Sequence, residues 1–413
     1  EMQTEPQVAP QSEEETQAPK EVPAQVEKEA PVTNESTHAA HGACICAVKG
    51  SACSHEQLTW TAWESTTSLP TEAGNYYLTG KVTLAAATTI SANVKICLNG
   101  FDVDLNQKKI VASGNVTVLN CQAALNGKNQ LTSAAGKLYN GKNASSGTNV
   151  EKYGGAFGVT GTLNVYGVLF EGNTCAQTSD ARTGGAIYVQ NGTANIESCS
   201  FKANTSKGTG GAVMLYGGTM TIKDSLFTNN EAAIRGGAIG VNSKEGACTL
   251  TIGGNTEITG SKTTDTRSTA FYGAGGAVFA YKNGTANAMN ITISGNTKIT
   301  GNTASQEGGG IALRCSSAAS PINFKLQDNV QIYGNAGEAA YDNLYFDNSA
   351  ADSAQKVTLG NLSANANVKV NLKSAAADPD SVLALASGVT PSETTALGLC
   401  IEDKAVAYNA ADL

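Results

Sequence analysis

The residues from Gly154 to Asn335 repeat one short pattern six times, and this repetition limits the folds open to the chain more than any other feature. Each pass opens on a Gly-Gly pair and an apolar alternation: GGAFGV at Gly154, GGAIYV at Gly184, GGAVML at Gly210, GGAIGV at Gly236, GGAVFA at Gly275 and GGGIAL at Gly308. A second apolar triplet follows, such as Leu163-Asn-Val165, Ala194-Asn-Ile196 and Met220-Thr-Ile222. Each pass ends on an aromatic or aliphatic residue with a polar residue three positions on: Phe170/Asn173, Phe201/Asn204, Phe227/Asn230, Ile258/Ser261, Ile299/Asn302 and Ile332/Asn335. Internal periods of about 20–50 residues mark solenoids and related arrays. Three short period-2 segments separated by Gly and Asn turns read as strands, not helices.

Three strands per pass predict an all-β, right-handed parallel β-helix in which each coil pairs with the coils above and below, about 4.8 Å away. The recurrent Asn is then expected to stack into a ladder of amide hydrogen bonds, as in other stacked β-structures. Residues 74–350 are assigned to this solenoid, with residues 127–147 as a looped excursion. Residues 351–413 are read as closing strands and a C-terminal cap that covers the open end.

Composition locates the charge. Residues 1–37 hold nine Glu and two Lys, which is seven of the eight net negative charges of the chain. With few large apolar residues, residues 1–40 are expected to be a disordered, acidic, Pro-rich tail. The nearly neutral remainder lacks the basic footprint that nucleic acid or an anionic membrane requires. No apolar run approaches the roughly 20 residues of a membrane span, so neither membrane insertion nor a nucleic-acid partner is expected. A monomer is expected.

Residues 41–73 are read as an N-terminal cap. His41, Cys44, Cys46, Cys53 and His55 gather thiolates and imidazoles at short spacing, which suits a structural zinc. The C-x-C-x6-C-x-H spacing departs from paired C-x2-C sites, and a disulfide from Cys44 or Cys46 to Cys53 is the competing reading. No other cofactor is indicated. Cys97 and Cys121 lie 24 residues apart, about one coil, and are expected to stack or bridge inside, with a buried apolar thiol state favoured.

Alternation sorts each Gly-Gly strand by face. Phe157, Val159, Ile187, Val189, Val213 and Leu215 point inward, with their later counterparts. Tyr188, Met214, Tyr216, Phe279, Tyr281 and Arg314 point outward and are the candidate binding column, since Tyr, Met and Arg are enriched at protein-binding surfaces. The same column equally suits cross-strand packing between coils. An enzyme would need a catalytic cluster. Asp180/Arg182 and Asp265/Arg267, with Asp224 and Arg235 between them, are the candidates for cleaving acidic polysaccharide, and solvated loop charges are the competing reading. No histidine follows His55, so the body lacks a His-based triad.

GGAIYV with Phe201-Lys-Ala-Asn204, and GGAVML with Phe227-Thr-Asn-Asn230, resemble the repeats of the polymorphic outer-membrane-protein family. That resemblance implies a surface-exposed β-helical adhesin. The Cys/His segment followed by GNYYLTGKVTL and ICLNGFDVDL is similar to pectate-lyase-like surface proteins secreted by Gram-positive gut bacteria. Some of those interact with the host, including by binding immunoglobulin. No C-terminal membrane-barrel pattern is present, so transport through an outer membrane is not expected, and no LPXTG-type sorting signal appears. These resemblances imply a secreted or cell-surface protein that binds a mucosal glycoprotein or an immunoglobulin, with a polysaccharide lyase or hydrolase as the alternative.

Overall fold

The structure is a computed structural model that describes residues 60–179, 182–267, 272–316, 321–337, 342–347, 357–363, 366–372, 383–385 and 398–401. The acidic tail and the metal candidates His41, Cys44, Cys46, Cys53 and His55 lie outside the described residues. The fold is a parallel β-helix. One coil consists of Phe157–Val159, Thr162–Tyr166, Leu169–Glu171 and the short Thr174–Cys175. In the next coil the first two strands fuse into Ile187–Glu197, followed by Ser200–Lys202 and Thr205–Ser206.

The sequence repeat maps onto register without slip. Phe157 aligns with Ile187, Val213, Ile239, Val278, Ile311 and Leu344 in successive coils. Leu163 aligns with Ala194, Met220, Leu250, Ile291 and Phe324. Phe170 aligns with Phe201, Phe227, Ile258, Ile299 and Ile332. The uneven lengths of the passes are therefore absorbed by loops, while the wall keeps its register.

Three devices hold the coils together. The inward side chains, Phe157, Val159, Ile187, Val189, Val213 and Leu215 among them, share one continuous core. Within it Phe170, Phe201 and Phe227 stack, with centroids 4.8 and 4.6 Å apart and rings within 6° of parallel. Their spacing equals the rise between coils, so each offset stack is imposed by the strand repeat.

The second device is the amide ladder. Asn173 Nδ2 donates to Asn204 Oδ1 at 3.0 Å, and Asn204 Nδ2 donates to Asn230 Oδ1 at 3.0 Å. The ladder stops at Ser261, whose buried hydroxyl has no hydrogen-bond partner among the described residues. It resumes from Asn302 to Asn335 at 2.9 Å and from Asn335 to Asn343 at 3.1 Å.

The Gly-Gly pair is the third device. A Cβ on Gly185 would stand 1.8 Å from the carbonyl oxygen of Gly211 in the next coil. Gly210 has φ +80°, and a Cβ there would meet the carbonyl of Val213 at 2.4 Å. Gly210 thus needs a left-handed turn and Gly185 a close backbone approach, and both conditions favour glycine.

Four local expectations change. The central coils carry a fourth strand, because the two residues after the ladder Asn pair from coil to coil, as Thr174 with Thr205 and Thr205 with Glu231. Lys137–Tyr139, placed by sequence inside the excursion 127–147, is a wall strand paired with Val103–Asp104 and Leu169–Glu171. Cys97 and Cys121 lie on the outer side of the wall with Trp60 and Leu119, not inside it. Pairing along the solenoid also starts ahead of residue 74, since Thr61–Trp63 pairs with Gly74–Leu78.

Candidate binding surface

The candidate column resolves into two neighbouring columns on the outside of the Gly-Gly wall. Tyr188, Met214, Gly240, Phe279, Ala312 and Tyr345 follow one another in register. Two residues further along each strand run Gln190 with Tyr216, then Asn242, Tyr281 and Arg314. Alternation therefore assigned the faces correctly: these side chains pack in clusters separate from the core. Exposure is where the expectation fails. Tyr188, Met214 and Tyr216 are 0% exposed and Phe279 is 2% exposed.

Loops cover the column. The one-turn helix Asn149–Lys152 lays Val150 against Val111, Tyr188 and Met214, and the Tyr153 and Tyr188 rings meet at 5.3 Å. Its start is held by Thr148 N donating to Glu151 Oε2 at 2.5 Å, a reciprocal cap of the kind that fixes short helices. Lys109 reaches from the wall beneath it and donates to the carbonyls of Val150 and Tyr153. Burial pulls the Lys109 ammonium down to about 7. A neutral amine still carries two N–H groups, enough for both carbonyls.

The charged candidates are engaged in the same covering. Arg182 Nε donates to the Tyr216 hydroxyl at 3.0 Å, and its guanidinium pairs with Glu245 at 3.5 Å. Arg235 is 6% exposed and lies over the rings of Tyr272, at 4.8 Å, and Phe279, at 5.3 Å. Arg267 stacks on Tyr272 at 3.7 Å and chelates Asp265. These hydrogen bonds hold the Asp265 carboxyl below the usual range, the reverse of what a general acid needs. Asp224 Oδ1 accepts from Asn255 N at 2.7 Å and caps a turn of the next coil. Asp180 lies outside the described residues. Among the described residues no three His, Cys, Asp or Glu side chains are grouped so as to hold a metal ion, and no helix is long and apolar enough to cross a membrane.

Two accessible parts of the outer surface adjoin the covered column. Tyr281 and Arg314 are half-buried, with the guanidinium 5.3 Å from the ring centroid. The neighbouring wall carries two columns of uncharged polar residues that sequence reasoning did not single out, flanked by Lys95, Lys325 and the Glu197–Lys223 pair. One column holds Asn115, Thr162, Thr193, Thr219, Thr249 and Asn290. A second holds Thr117, Asn164, Asn195, Thr221, Thr251 and Thr292. Apart from the exposed Asn115, all are half-buried. Asn195 Nδ2 donates to Asn164 Oδ1 at 2.8 Å across the coils. The signal was present: these are the polar residues beside and within the apolar triplets, whose inward members drew the attention.

The architecture is thus a parallel β-helix whose central coils start on Gly-Gly and carry an Asn ladder interrupted at Ser261. Compared with known families, residues 167–190 match the Chlamydia polymorphic membrane protein (Chlamydia_PMP) repeat. That stretch includes Phe170, Asn173 and the GGAIYV strand start. Comparison with curated proteins and with solved structures finds no match.

Proposed function

We propose that this protein is a surface-displayed binding protein of the adhesin type that engages a mucosal host glycoprotein, a mucin or an immunoglobulin, through the outside of its solenoid. The observation that carries the reading is the polymorphic-membrane-protein-type repeat at residues 167–190, set in a wall whose Gly-Gly and Asn positions recur in the neighbouring coils. The resemblance of the N-terminal segments to host-interacting surface proteins of Gram-positive gut bacteria points the same way. A solenoid suits such a role because its coils offer a long, regular surface for an extended partner. The lyase reading is weakened because Asp265, Arg267, Asp224 and Arg235 are committed to one another, to rings or to turns.

With the aromatic column covered, we place the contact on Tyr281 and Arg314 and on the adjoining Thr/Asn face. Tyr and Arg commonly supply most of the binding energy at protein interfaces. The test is capture of immobilised mucin and of immunoglobulin by the full chain, beside Tyr281→Ala/Arg314→Ala and Asn195→Lys/Thr221→Lys variants. Saturable capture weakened about 10-fold in either variant, equivalent to about 1.4 kcal/mol, supports the reading. No capture of either glycoprotein by the wild type would end it.

A further inference from the structure

Cys97 closes the strand Val94–Cys97, and Cys121 follows the strand Asn115–Leu119 by two residues. These strands are neighbours, with Cys97 opposite Leu119. The turn after Leu119 brings the second sulfur back over the first, so that the two Sγ atoms stand 3.0 Å apart. That is about 1 Å beyond the length of a disulfide bond. Both sit on the outer side of the wall among Trp60, Tyr77, Leu119 and Tyr166. Cys97 is fully buried, whereas Cys121 keeps part of its surface in solvent, which gives a reagent one way in. Other cysteines are placed differently. Cys175, Cys199 and Cys248 point their sulfurs at the carbonyls of Lys152, Val165 and Asn242. Burial raises the Cys199 and Cys248 thiols to about 12, and the hydrogen bond with Cys97 together with burial raises the Cys121 thiol as well, so the pair is set apart by the approach of its sulfurs and the open side of Cys121, not by acidity.

We infer that Cys97 and Cys121 are a disulfide site that staples two successive coils near the N-terminal end of the solenoid when the protein meets an oxidising compartment. The oxidant is an organic disulfide, either oxidised glutathione or the active-site disulfide of a thiol oxidoreductase. Cys121 as thiolate attacks one oxidant sulfur and releases the other as a thiol. Cys97 then attacks the mixed disulfide at Cys121 and releases the second thiol. The two protons and two electrons of the protein thiols end on the reduced oxidant. Solenoids open from their ends inward, so a covalent link between these two coils, each paired on both sides but close to the first strand Thr61–Trp63, limits how far fraying spreads. The inference does not depend on which partner the outer face binds.

The full chain is incubated with oxidised glutathione at neutral pH, unfolded in an alkylating agent without reductant and digested with trypsin. The expected product joins residues 96–108 to residues 110–128 and disappears with dithiothreitol. The oxidised protein should also unfold about 5 °C higher than the reduced protein, a difference absent from Cys97→Ser. Recovery of both peptides alkylated, of a glutathione adduct on Cys121 alone, or of either cysteine linked mainly elsewhere would overturn the inference. This mapping needs only the wild type, so it decides the matter even if the variant fails to fold.

Discussion

Replacing Asn204 by Ala removes one rung of the ladder and tests whether the repeated Asn is structural. Its Oδ1 accepts from Asn173 N and Asn173 Nδ2, each at 3.0 Å. Its Nδ2 donates to Phe170 O and Asn230 Oδ1, each at 3.0 Å. All four bonds are buried, and the residue is 0% exposed. A net worth of about 1 kcal/mol per bond gives about 4 kcal/mol for the set. The orphaned Asn173 donors raise this, since no water reaches them, and local relaxation lowers it, so a loss of about 3–5 kcal/mol is expected. At roughly 2 °C per kcal/mol for a chain of this size, the midpoint of thermal unfolding should fall by about 6–10 °C. Solenoids can open coil by coil, so hydrogen exchange across residues 170–206 is the better companion to circular dichroism. Protection should fall there first. Asn195→Ala is the control: Asn195 makes its 2.8 Å amide contact on the half-buried outer face, where loss should stay within about 0.5 kcal/mol. If Asn204→Ala is no more damaging than Asn195→Ala, the ladder does not hold the coils.

Ser261→Asn should repair the break. The new Oδ1 would accept from Asn230 Nδ2 and the new Nδ2 would reach Phe227 O, raising stability by about 1 kcal/mol in a denaturant titration; a loss would mean that the site lacks room. Gly185→Ala should cost more than about 3 kcal/mol or abolish soluble expression, because its Cβ meets a backbone oxygen at 1.8 Å, whereas Gly80→Ala has nothing within 4 Å and should be near neutral by the same denaturation assay. Lys109 gives a pH signature. Its folded-state value of about 7 lies below the ordinary 10.5, so between these values the unfolded chain binds more protons and stability rises with pH. Relative to Lys109→Met, the wild type should gain on the order of 1–2 kcal/mol from pH 7 to pH 9; equal pH profiles would show that the lysine is not buried as described.

The wall was legible in the sequence because it depends on local chemistry that repeats. Gly-Gly marks the tight approach of Gly185 to Gly211, alternation separates Val213 from Met214, and the Asn of F-x-x-N announces the ladder. Coverage was not legible. Whether Tyr188 and Tyr216 meet solvent is decided by Val150, in a one-turn helix too short to show a 3.6-residue period, by Tyr153 directly after it, and by Arg182 from another loop. Face assignment is a property of one strand, whereas exposure depends on segments inserted elsewhere. Cys97 and Cys121 show the same limit: a separation near one coil placed them close together, but the turn after Leu119 put them outside the wall. Lys137–Tyr139 was hidden because Gly136 and Asn140-Gly141 flank a strand of three residues, and pairing on both sides, not its own pattern, makes it part of the wall.

The central claim is binding without chemistry, and one experiment addresses both halves. The full chain is titrated against immobilised mucin and immunoglobulin while the same preparation is incubated with acidic polysaccharide and followed by ultraviolet absorbance for unsaturated uronides. The account predicts saturable capture of at least one glycoprotein, weakened by Tyr281→Ala/Arg314→Ala or by charge on the Thr/Asn face, with flat absorbance. No capture of either glycoprotein, or rising absorbance that disappears in Asp265→Ala, would contradict it.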